Sequence, residues 1–546
     1  MCCREAGGGG KAAAAAVTRT LLALAILLMA CVQSCHGQKR LLQTLRKLQQ
    51  DSGTPGDQYA AEATWSNLFH HHPLQHHHSS YRYMLSKQQR QRGISHFGSA
   101  ERLRVALSRA ITNKKLTVAV VGGSISAGTG AEDAPAWVDR LETYLKETYG
   151  KVANVNVTVN NGAVPGTTSA YMSGCVNLHV PADADIVVVE YTVNDDQLAL
   201  PAMDNPVRRP YERLLRKLLS MPTSPAVVLL HAYAWFRPEP TFGVFYSNSE
   251  RDLNELAGYY GLPVVSVKGC CFQAMQHGVP GFQVHAVRRQ DLLDSKGLAF
   301  YYDEIHPDGN TGHRVMAELV VTLLQRGVAD LLHSPLTEAD KAAAAQPLPP
   351  PMIPGNWESL SDRCFVGEAF KTKAVIGQPA SWDWVNESRS LRPKWGYVST
   401  TPGSSLQLLL NTTASSGAAQ HPVLVQVAYL SSYEHMGKAA IKCVSGCSCD
   451  ESEINGYHVD HNSLLKLHRI YVSQHEECVM AVQVKDETDA PDGEHKVKLA
   501  AAVVSEEAGE QHADFDNAAA VEHVHDISFR HVGFGHSGVF DIRNHI

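Results

Sequence analysis

Residues 116–128, LTVAVVGGSISAG, begin with six apolar or β-branched residues, which two glycines and a serine follow directly. The apolar run predicts a buried β-strand. The glycines predict a sharp turn after it, which can hold the Ser124 hydroxyl outward and aim its backbone N–H at a carbonyl oxygen. The motif alone also suits a plain strand-to-helix turn or a phosphate-binding loop. No Gly-Lys-Ser/Thr follows it, so nucleotide binding is not favoured.

Similar apolar runs, separated by segments of helical character, recur as far as about residue 330. Strands are predicted at 155–159, 186–190, 226–230 and 263–267, and helices at 137–149, 211–219, 251–260 and 313–324. Strands that alternate with helices indicate parallel pairing through crossovers. We therefore expect an α/β domain with helices on both faces of a parallel sheet, and an active site beyond the carboxyl ends of its strands.

Three further loops place polar residues at those ends. The second strand is followed by Gly162 and Gly166, the third by Thr192-Val193-Asn194-Asp195. An asparagine amide there can donate to an oxyanion, or it can cap the next helix. Asp303 and His306 precede the last helix, and a spacing of three lets one turn join the carboxylate to an imidazole nitrogen. A helix-entry cap is the alternative for that pair.

Ser, Gly, Asn and His in this order at successive strand ends resemble the four blocks of the SGNH (GDSL-like) hydrolase family. The resemblance covers about residues 114–330 and implies a three-layer α/β/α, flavodoxin-like parallel sheet. It also implies a serine esterase with a catalytic triad of Ser124, His306 as general base and Asp303 as the residue that orients the imidazole. No metal and no cofactor would be needed.

The resemblance implies an oxyanion hole as well. Its donors would be the backbone N–H groups of Ser124 and Gly166 and the side chain of Asn194, with Gly162 as the rival to Gly166. Two departures affect the shape of the site. Gly123 replaces the family's usual aspartate before the serine, and Thr192-Val193 replaces the small residues that often precede Asn-Asp.

The implied reaction is hydrolysis of carboxylic, most simply acetyl, esters through an acyl-enzyme, on extracellular or lumenal carbohydrate or another small ester. An acyltransferase acting on glycans with the same triad is the nearest alternative. A non-catalytic glycan-binding or adhesion protein is another. A formal charge of −7 offers no basic stripe, which argues against nucleic acid as a partner.

The N-terminus predicts export. Residues 21–32 are apolar throughout and are preceded by Arg19, which suits a signal peptide over residues 1–37. An uncleaved type II membrane anchor is the alternative. Eight cysteines beyond the leader predict disulfides, with a metal site at Cys443, Cys447 and Cys449 as the alternative. Glycosylation acceptors stand at Asn156, Asn386 and Asn411.

Composition divides the rest of the chain. A low-complexity stalk rich in His and Gln is predicted at 38–100, where two histidine triplets can bind a metal ion. The hydrolase domain is predicted at 101–335 and an Ala/Pro-rich linker at 336–358. Short β-rich segments at 359–506 predict a smaller, disulfide-containing β-sandwich, and a polar tail follows at 507–546.

Overall fold

The computed structural model describes residues 81–165, 167–195, 197, 201–205, 207–237, 242–290, 295–359, 361–387, 395–414, 422–459 and 464–505. The leader, residues 38–80 of the stalk and the C-terminal tail lie outside these residues, as does Gly166. Among the helices of the described residues, none is both long and apolar enough to cross a membrane.

The first domain alternates helices with strands. Its strands are β1 (Ile94–His96), β2 (Lys115–Gly122), β3 (Asn156–Asn161), β4 (Ile186–Glu190), β5 (Ala226–His231) and β6 (Val264–Ser266). Its helices are α1 (Lys87–Gly93), α2 (Glu101–Asn113), α3 (Trp137–Leu145), α4 (Ser169–His179), α5 (Arg208–Leu219), α6 (Glu250–Tyr260), α7 (Val267–Gln276), α8 (Gly312–His333) and α9 (Glu338–Ala344). A π-helical turn, Lys146–Gly150, and one turn of α-helix, Lys151–Ala153, continue α3.

These strands form one sheet in the order β1-β6-β5-β4-β2-β3. The strands β2 to β6 pair in parallel, in the 2-1-3-4-5 order of flavodoxin-like sheets. The central strands β2, β4 and β5 are buried almost throughout. They read as continuous apolar runs for that reason, since helices cover both faces of a parallel sheet. The predicted α/β fold is confirmed.

The domain begins earlier than the sequence analysis placed it. Strand β1 adds an antiparallel edge to the sheet by pairing with β6. The segment before it is also attached, because the Glu318 carboxylate of α8 accepts hydrogen bonds from the backbone N–H groups of Met84 (2.7 Å) and Leu85 (2.9 Å). Residues 81–100, assigned to the stalk from their polar composition, therefore belong structurally to the α/β domain.

The Pro-rich segment after α9 does not stand free as a spacer. It covers a charged face of α5, where the Arg216 guanidinium pairs with Glu358 and donates to the Pro349 carbonyl at 2.7 Å. The Asn356 amide donates to the carboxylate of Glu212 at 2.7 Å. Buried charges of α5 are thus paired by the segment that leads to the second domain.

The second domain is built from antiparallel strands. They are β7 (Arg363–Val366), β8 (Asp383–Asn386), β9 (Trp395–Ser399), β10 (Ser405–Leu410), β11 (Val423–Ser431), β12 (Lys438–Ser445), β13 (Ser452–Asn455), β14 (Leu464–Val472), β15 (Cys478–Val484) and β16 (Val497–Ser505), with a π-helical turn at Phe370–Ala374. One sheet has the order β10-β15-β12-β13 and the other β14-β11-β16-β9-β8, with β7 also paired to β16.

The two sheets share one core. Strand β10 shows the alternation of a half-buried strand, with Leu406, Leu408 and Leu410 inside and the residues between them outside. Val425 of the larger sheet and Met480 of the smaller lie in the same core. The β-rich domain expected from the sequence is therefore a sandwich.

Three disulfides are formed. Cys443 pairs with Cys449 and Cys447 with Cys478 inside the sandwich, while Cys364 on β7 pairs with Cys175 on α4 of the first domain. This confirms that the β-rich domain is disulfide-linked, and one of its five cysteines, Cys364, reaches the other domain. Among the described cysteines, Cys270 and Cys271 are buried thiols.

Candidate active site

Ser124 lies in the turn that follows β2. The Ala127 N–H donates to the Gly123 carbonyl and the Thr129 N–H to the Ser124 carbonyl, each at 3.0 Å, so the chain bends sharply at the serine. Only glycine fits at position 122, because a Cβ there would lie 2.6 Å from Ser126 Oγ and 2.8 Å from the Glu190 carbonyl oxygen. The glycines of the motif therefore pack the turn closely against β4.

The structure brings Ser124, His306 and Asp303 together. Ser124 Oγ lies 2.8 Å from His306 Nε2, and His306 Nδ1 lies 2.9 Å from both carboxylate oxygens of Asp303. Nδ1 then carries the proton and Nε2 is free to accept one from the hydroxyl. This geometry can turn a serine into a nucleophile.

Asp303 is held as a carboxylate by its own turn. Burial alone would raise its pKa, but the His306 imidazole and the backbone N–H groups of Ile305 and His306 hold the pKa of Asp303 below its usual value. Those N–H groups donate to Asp303 Oδ1 at 2.9 and 2.7 Å. The aspartate therefore fixes the ring and the backbone of His306 at once. The helix-cap alternative for this pair does not account for that geometry.

Ion pairs stabilise the loop that carries His306. Arg288 is buried and pairs with Asp308, two residues after His306, and its guanidinium also donates to Asp133 at 2.8 Å. Asp133 lies in the loop that continues from the serine turn, so Arg288 joins the two loops that carry Ser124 and His306. No motif in the sequence points to Arg288, because it lies 15 or more positions from both Ser124 and Asp303.

Asn194 lies against the serine turn. Its side chain fills the space beside Gly123, since a Cβ at position 123 would come within 2.2 Å of Asn194 Nδ2. The amide is buried beside Gly123, one residue before the predicted nucleophile, so its role as an oxyanion donor stays a prediction. Asn205, not Asn194, caps α5: its side-chain oxygen accepts from the N–H groups of Val207 (2.9 Å) and Arg208 (2.8 Å).

Gly162, the rival to Gly166, is committed to the sheet. Its N–H donates to the Val120 carbonyl at 2.9 Å, and a Cβ on it would lie 2.3 Å from the His179 carbonyl oxygen. Close packing explains this glycine without any role toward a ligand. Gly166 itself lies outside the described residues, so its place as a backbone donor stays a prediction.

A small cavity adjoins the asparagine loop. Val193 and Asp195 line it on one side, and Tyr233, Arg237 and Asn248 line it on the other. The cavity lies beyond the carboxyl ends of β4 and β5, where open α/β sheets bind ligands. Val193, which departs from the small residues usual in this block, contributes to its wall.

The remaining predicted positions are the three glycosylation acceptors and the three cysteines considered as a metal site. Asn156 and Asn386 are exposed, at the start of β3 and the end of β8, and Asn411 accepts hydrogen bonds from Thr413. Cys443, Cys447 and Cys449 are all in disulfides. Among the described residues, another group with the geometry for a metal ion is the exposed trio His435, Asp492 and Glu494.

A serine hydroxyl, an imidazole and a carboxylate in this order define the class of serine hydrolases that work through an acyl-enzyme. The model of the GDSL-like lipase/acylhydrolase family matches residues 120–315. Residues 120–315 are therefore a GDSL-like lipase/acylhydrolase domain, which makes this part of the chain a carboxylic ester hydrolase.

Solved structures support the two-domain architecture. A two-domain esterase active on acetylated mannans is similar with a TM-score of 0.54 and 19% identity, over 77% of this chain and 99% of that one. The structure of a two-domain esterase active on acetylated mannans and co-crystallised with mannopentaose is similar with a TM-score of 0.54 and 18% identity, over 78% and 100%. At this identity the likeness concerns the fold. The search of curated proteins gave no match.

Proposed function

We propose that the chain is a serine esterase that removes acetyl groups from carbohydrate, with Ser124, His306 and Asp303 as its catalytic triad. The contact that carries the proposal is the 2.8 Å hydrogen bond between Ser124 Oγ and His306 Nε2, with Asp303 on the far side of the ring. A structural serine at the end of a strand has no need of an imidazole that is itself oriented by a half-buried carboxylate.

The reaction follows from those groups. Ser124 Oγ attacks the ester carbonyl as its proton moves to His306 Nε2, which gives a tetrahedral oxyanion. The Asn194 amide and the backbone N–H groups of Ser124 and Gly166 stabilise that oxyanion. The intermediate expels the sugar oxygen, which takes the proton from His306 and leaves as a hydroxyl group. Water, deprotonated by His306, then releases acetate from the acyl-serine.

The choice of carbohydrate rests on two lines of support. The first is the likeness to two-domain esterases whose described activity is on acetylated mannans. The second is the compartment: the three disulfides suit an exported protein, and extracellular polysaccharides are a common carrier of acetyl esters. Secretion through the segment 1–37 and glycosylation at the three asparagines belong to the same proposal.

The test uses Ser124→Ala beside Ser220→Ala, an exposed serine at the end of α5. The wild type and Ser220→Ala should hydrolyse p-nitrophenyl acetate, release acetate from an acetylated mannan and react with a fluorophosphonate probe. Ser124→Ala should keep its melting temperature and lose all three activities. Persistent labelling in Ser124→Ala would mean another nucleophile. An active wild type that leaves acetylated mannan intact would overturn the carbohydrate part alone.

A further inference from the structure

Glu190, the last residue of β4, is fully buried beside the serine turn. Its Oε2 accepts a hydrogen bond of 2.9 Å from the hydroxyl of Ser126, which is also fully buried. Ser126 comes two residues after Ser124, and Glu190 comes four residues before Asn194. The bond therefore joins the segment that carries the nucleophile to the segment that carries the oxyanion amide.

Ser126 is fixed from a second side as well. Its carbonyl oxygen accepts from Asn161 Nδ2, at the end of β3, at 2.9 Å. Ser126 thus holds the turn between β3 and β4. Position 122 lies between Ser126 and β4, and only a residue without a side chain fits there. The turn has a defined position because one buried serine is bonded to both neighbouring strands.

The surroundings of Glu190 oppose a negative charge. Among the described atoms, its Oε1 has no hydrogen-bond partner although it is buried. The ionisable groups that act on it electrostatically are the Asp195 carboxylate, which accepts hydrogen bonds from the N–H and hydroxyl of Ser169, and the phenols of Tyr191 and Tyr211. Arg208, a cation on α5 that interacts with Tyr211, is paired with Asp252 at 3.1 Å.

These surroundings favour the protonated form of the Glu190 carboxyl group. Burial raises the pKa of Glu190, the Ser126 hydrogen bonds oppose the rise and the Asp195 charge adds to it, and together they place the pKa at about 8. The pKa values of Tyr191 and Tyr211 are also raised by burial, so both phenols stay neutral through this range. At neutral pH the glutamic acid is therefore mostly uncharged.

We propose that protonated Glu190 is a positioning residue that holds the serine turn against β4 through Ser126, and so sets the distance between Ser124 and Asn194. The inference rests on the proposed function, because its effect is on the reaction of Ser124. Ionisation places a charge in a site that cannot solvate it. The turn then shifts, and a displacement of about 1 Å at a reacting group costs on the order of 10²-fold in rate.

The experiment follows kcat and KM for p-nitrophenyl acetate from pH 6 to 9.5 in the wild type, Glu190→Gln, Glu190→Ala and Ser126→Ala. The wild type should lose kcat with a midpoint near pH 8, the pKa of Glu190, while KM changes little. Glu190→Gln, which keeps an acceptor for Ser126 and cannot ionise, should stay within about threefold of the wild type at pH 6.5 and lack that decline. Glu190→Ala should be slower by about tenfold or more at every pH.

A double-mutant cycle tests the route through Ser126. If Glu190 acts by that contact, Ser126→Ala and the double variant with Glu190→Ala should have nearly the same kcat. Glu318→Gln is the matched control, since Glu318 is another fully buried glutamate but bonds the chain near Met84. It should lower the melting temperature and leave the pH profile of kcat unchanged.

Three results would overturn the proposal: an unchanged alkaline decline in Glu190→Gln, full kcat in a folded Glu190→Ala, or additive effects in the cycle. If Glu190→Ala does not fold, the pH profile of Glu190→Gln and the kcat of Ser126→Ala decide instead. A wild type that neither hydrolyses the ester nor reacts with a fluorophosphonate would overturn the esterase proposal and this one together. An active wild type with a normal Glu190→Ala would overturn only this one.

Discussion

At the scale of single residues, the departure at position 123 follows from the packing of Asn194. The family's usual residue before the serine is aspartate, and here it is glycine. The Asn194 amide occupies the place where a side chain at 123 would begin, with Nδ2 and Oδ1 at 2.2 and 2.3 Å from a Cβ built there. The missing side chain at 123 and the buried amide at 194 are therefore one feature of the site.

Asn194→Asp distinguishes an oxyanion donor from a structural amide. If the amide donates to the oxyanion, the change places a negative charge beside a negative intermediate and should lower kcat by more than the ~10²–10³-fold expected for loss of one donor. KM should change far less, because the interaction strengthens in the transition state. Steady-state kinetics with p-nitrophenyl acetate and a thermal melt of each variant give the three quantities required.

Asn194→Ala and Asn205→Asp serve as controls for that prediction. The alanine variant removes the donor without adding a charge, so its kcat should fall by less than that of the aspartate variant. Asn205 caps α5, and an aspartate there accepts the same backbone hydrogen bonds, so kcat should be unaffected. Near-normal kcat in both Asn194 variants would exclude this asparagine from the site.

At the scale of elements, His313 joins the start of α8 to the serine side of the site. It is fully buried; its Nδ1 accepts from the Trp137 N–H at 3.2 Å, and its Nε2 donates to the Thr129 carbonyl at 3.0 Å. The contacts reach the first residue of α3 and the loop after Ser124. One neutral imidazole thus ties together two helices and the loop that connects the nucleophile to α3.

This histidine predicts acid sensitivity of the fold. Burial lowers the pKa of His313 to about 4, against about 6.5 in an unfolded chain. The unfolded chain therefore binds the proton first as the pH falls, and the native state loses stability from about pH 6.5 down to about pH 4. The loss amounts to on the order of 3 kcal/mol. Urea unfolding at pH 7 and pH 4.5 should show it.

His313→Asn provides the comparison, since asparagine retains one donor and one acceptor and does not titrate. It should be less stable than the wild type at pH 7, where the imidazole fits its partners, and should show a smaller decrease between pH 7 and 4.5. A decrease as large as that of the wild type would assign the acid sensitivity to other groups, with Asp303 the first to examine because its pKa is lowered too.

Sequence patterns predicted the elements whose character is set locally. Strand β4 at 186–190 has the predicted bounds, and strand β10 at 405–410 lies in the segment predicted to be β-rich, because a buried run and a strict alternation are visible in the sequence. Helix α5 begins at Arg208, three residues before its predicted start. Arg208 and Arg209 look like surface residues in the sequence, but Asp252 and Asp204 pair with them in the fold.

The same limit applies to the candidate site. The sequence predicts Ser124, Asp303, His306 and Asn194 because their order and spacing resemble the blocks of the SGNH (GDSL-like) hydrolase family. Glu190 and His313 were not predicted, since a glutamate at the end of a strand and a histidine at the start of a helix are ordinary surface positions. Glu190 gains its buried partner because β2 pairs with β4, and His313 gains its partners because the start of α8 contacts the start of α3.

At the scale of the whole molecule, the two domains are joined by more than the chain. The segment after α9 packs on α5, where Lys217 pairs with Asp362 and Arg216 with Glu358, all of them largely buried. The Cys175–Cys364 disulfide adds a covalent link between α4 and β7. These contacts restrict the second domain to one side of the hydrolase domain, beside α4 and α5.

The disulfide at this junction should stabilise the molecule without being needed for the chemistry. Its cysteines are 189 residues apart, so the bridge restricts a long loop of the unfolded chain, and its loss should cost about 2–4 kcal/mol. Turnover of p-nitrophenyl acetate should stay within about twofold, since α4 is also held by the Ser169 hydrogen bonds to Asp195 (3.0 and 2.6 Å). The variant Cys175→Ser/Cys364→Ser, unfolded in urea and assayed below its transition, tests both statements.

The pair Cys443→Ser/Cys449→Ser is the matched control, because its cysteines are only 6 residues apart and its bridge constrains the unfolded chain less. Equal losses of stability in the two variants would contradict the loop-length argument, and lost turnover in the first alone would show that the junction shapes the active site.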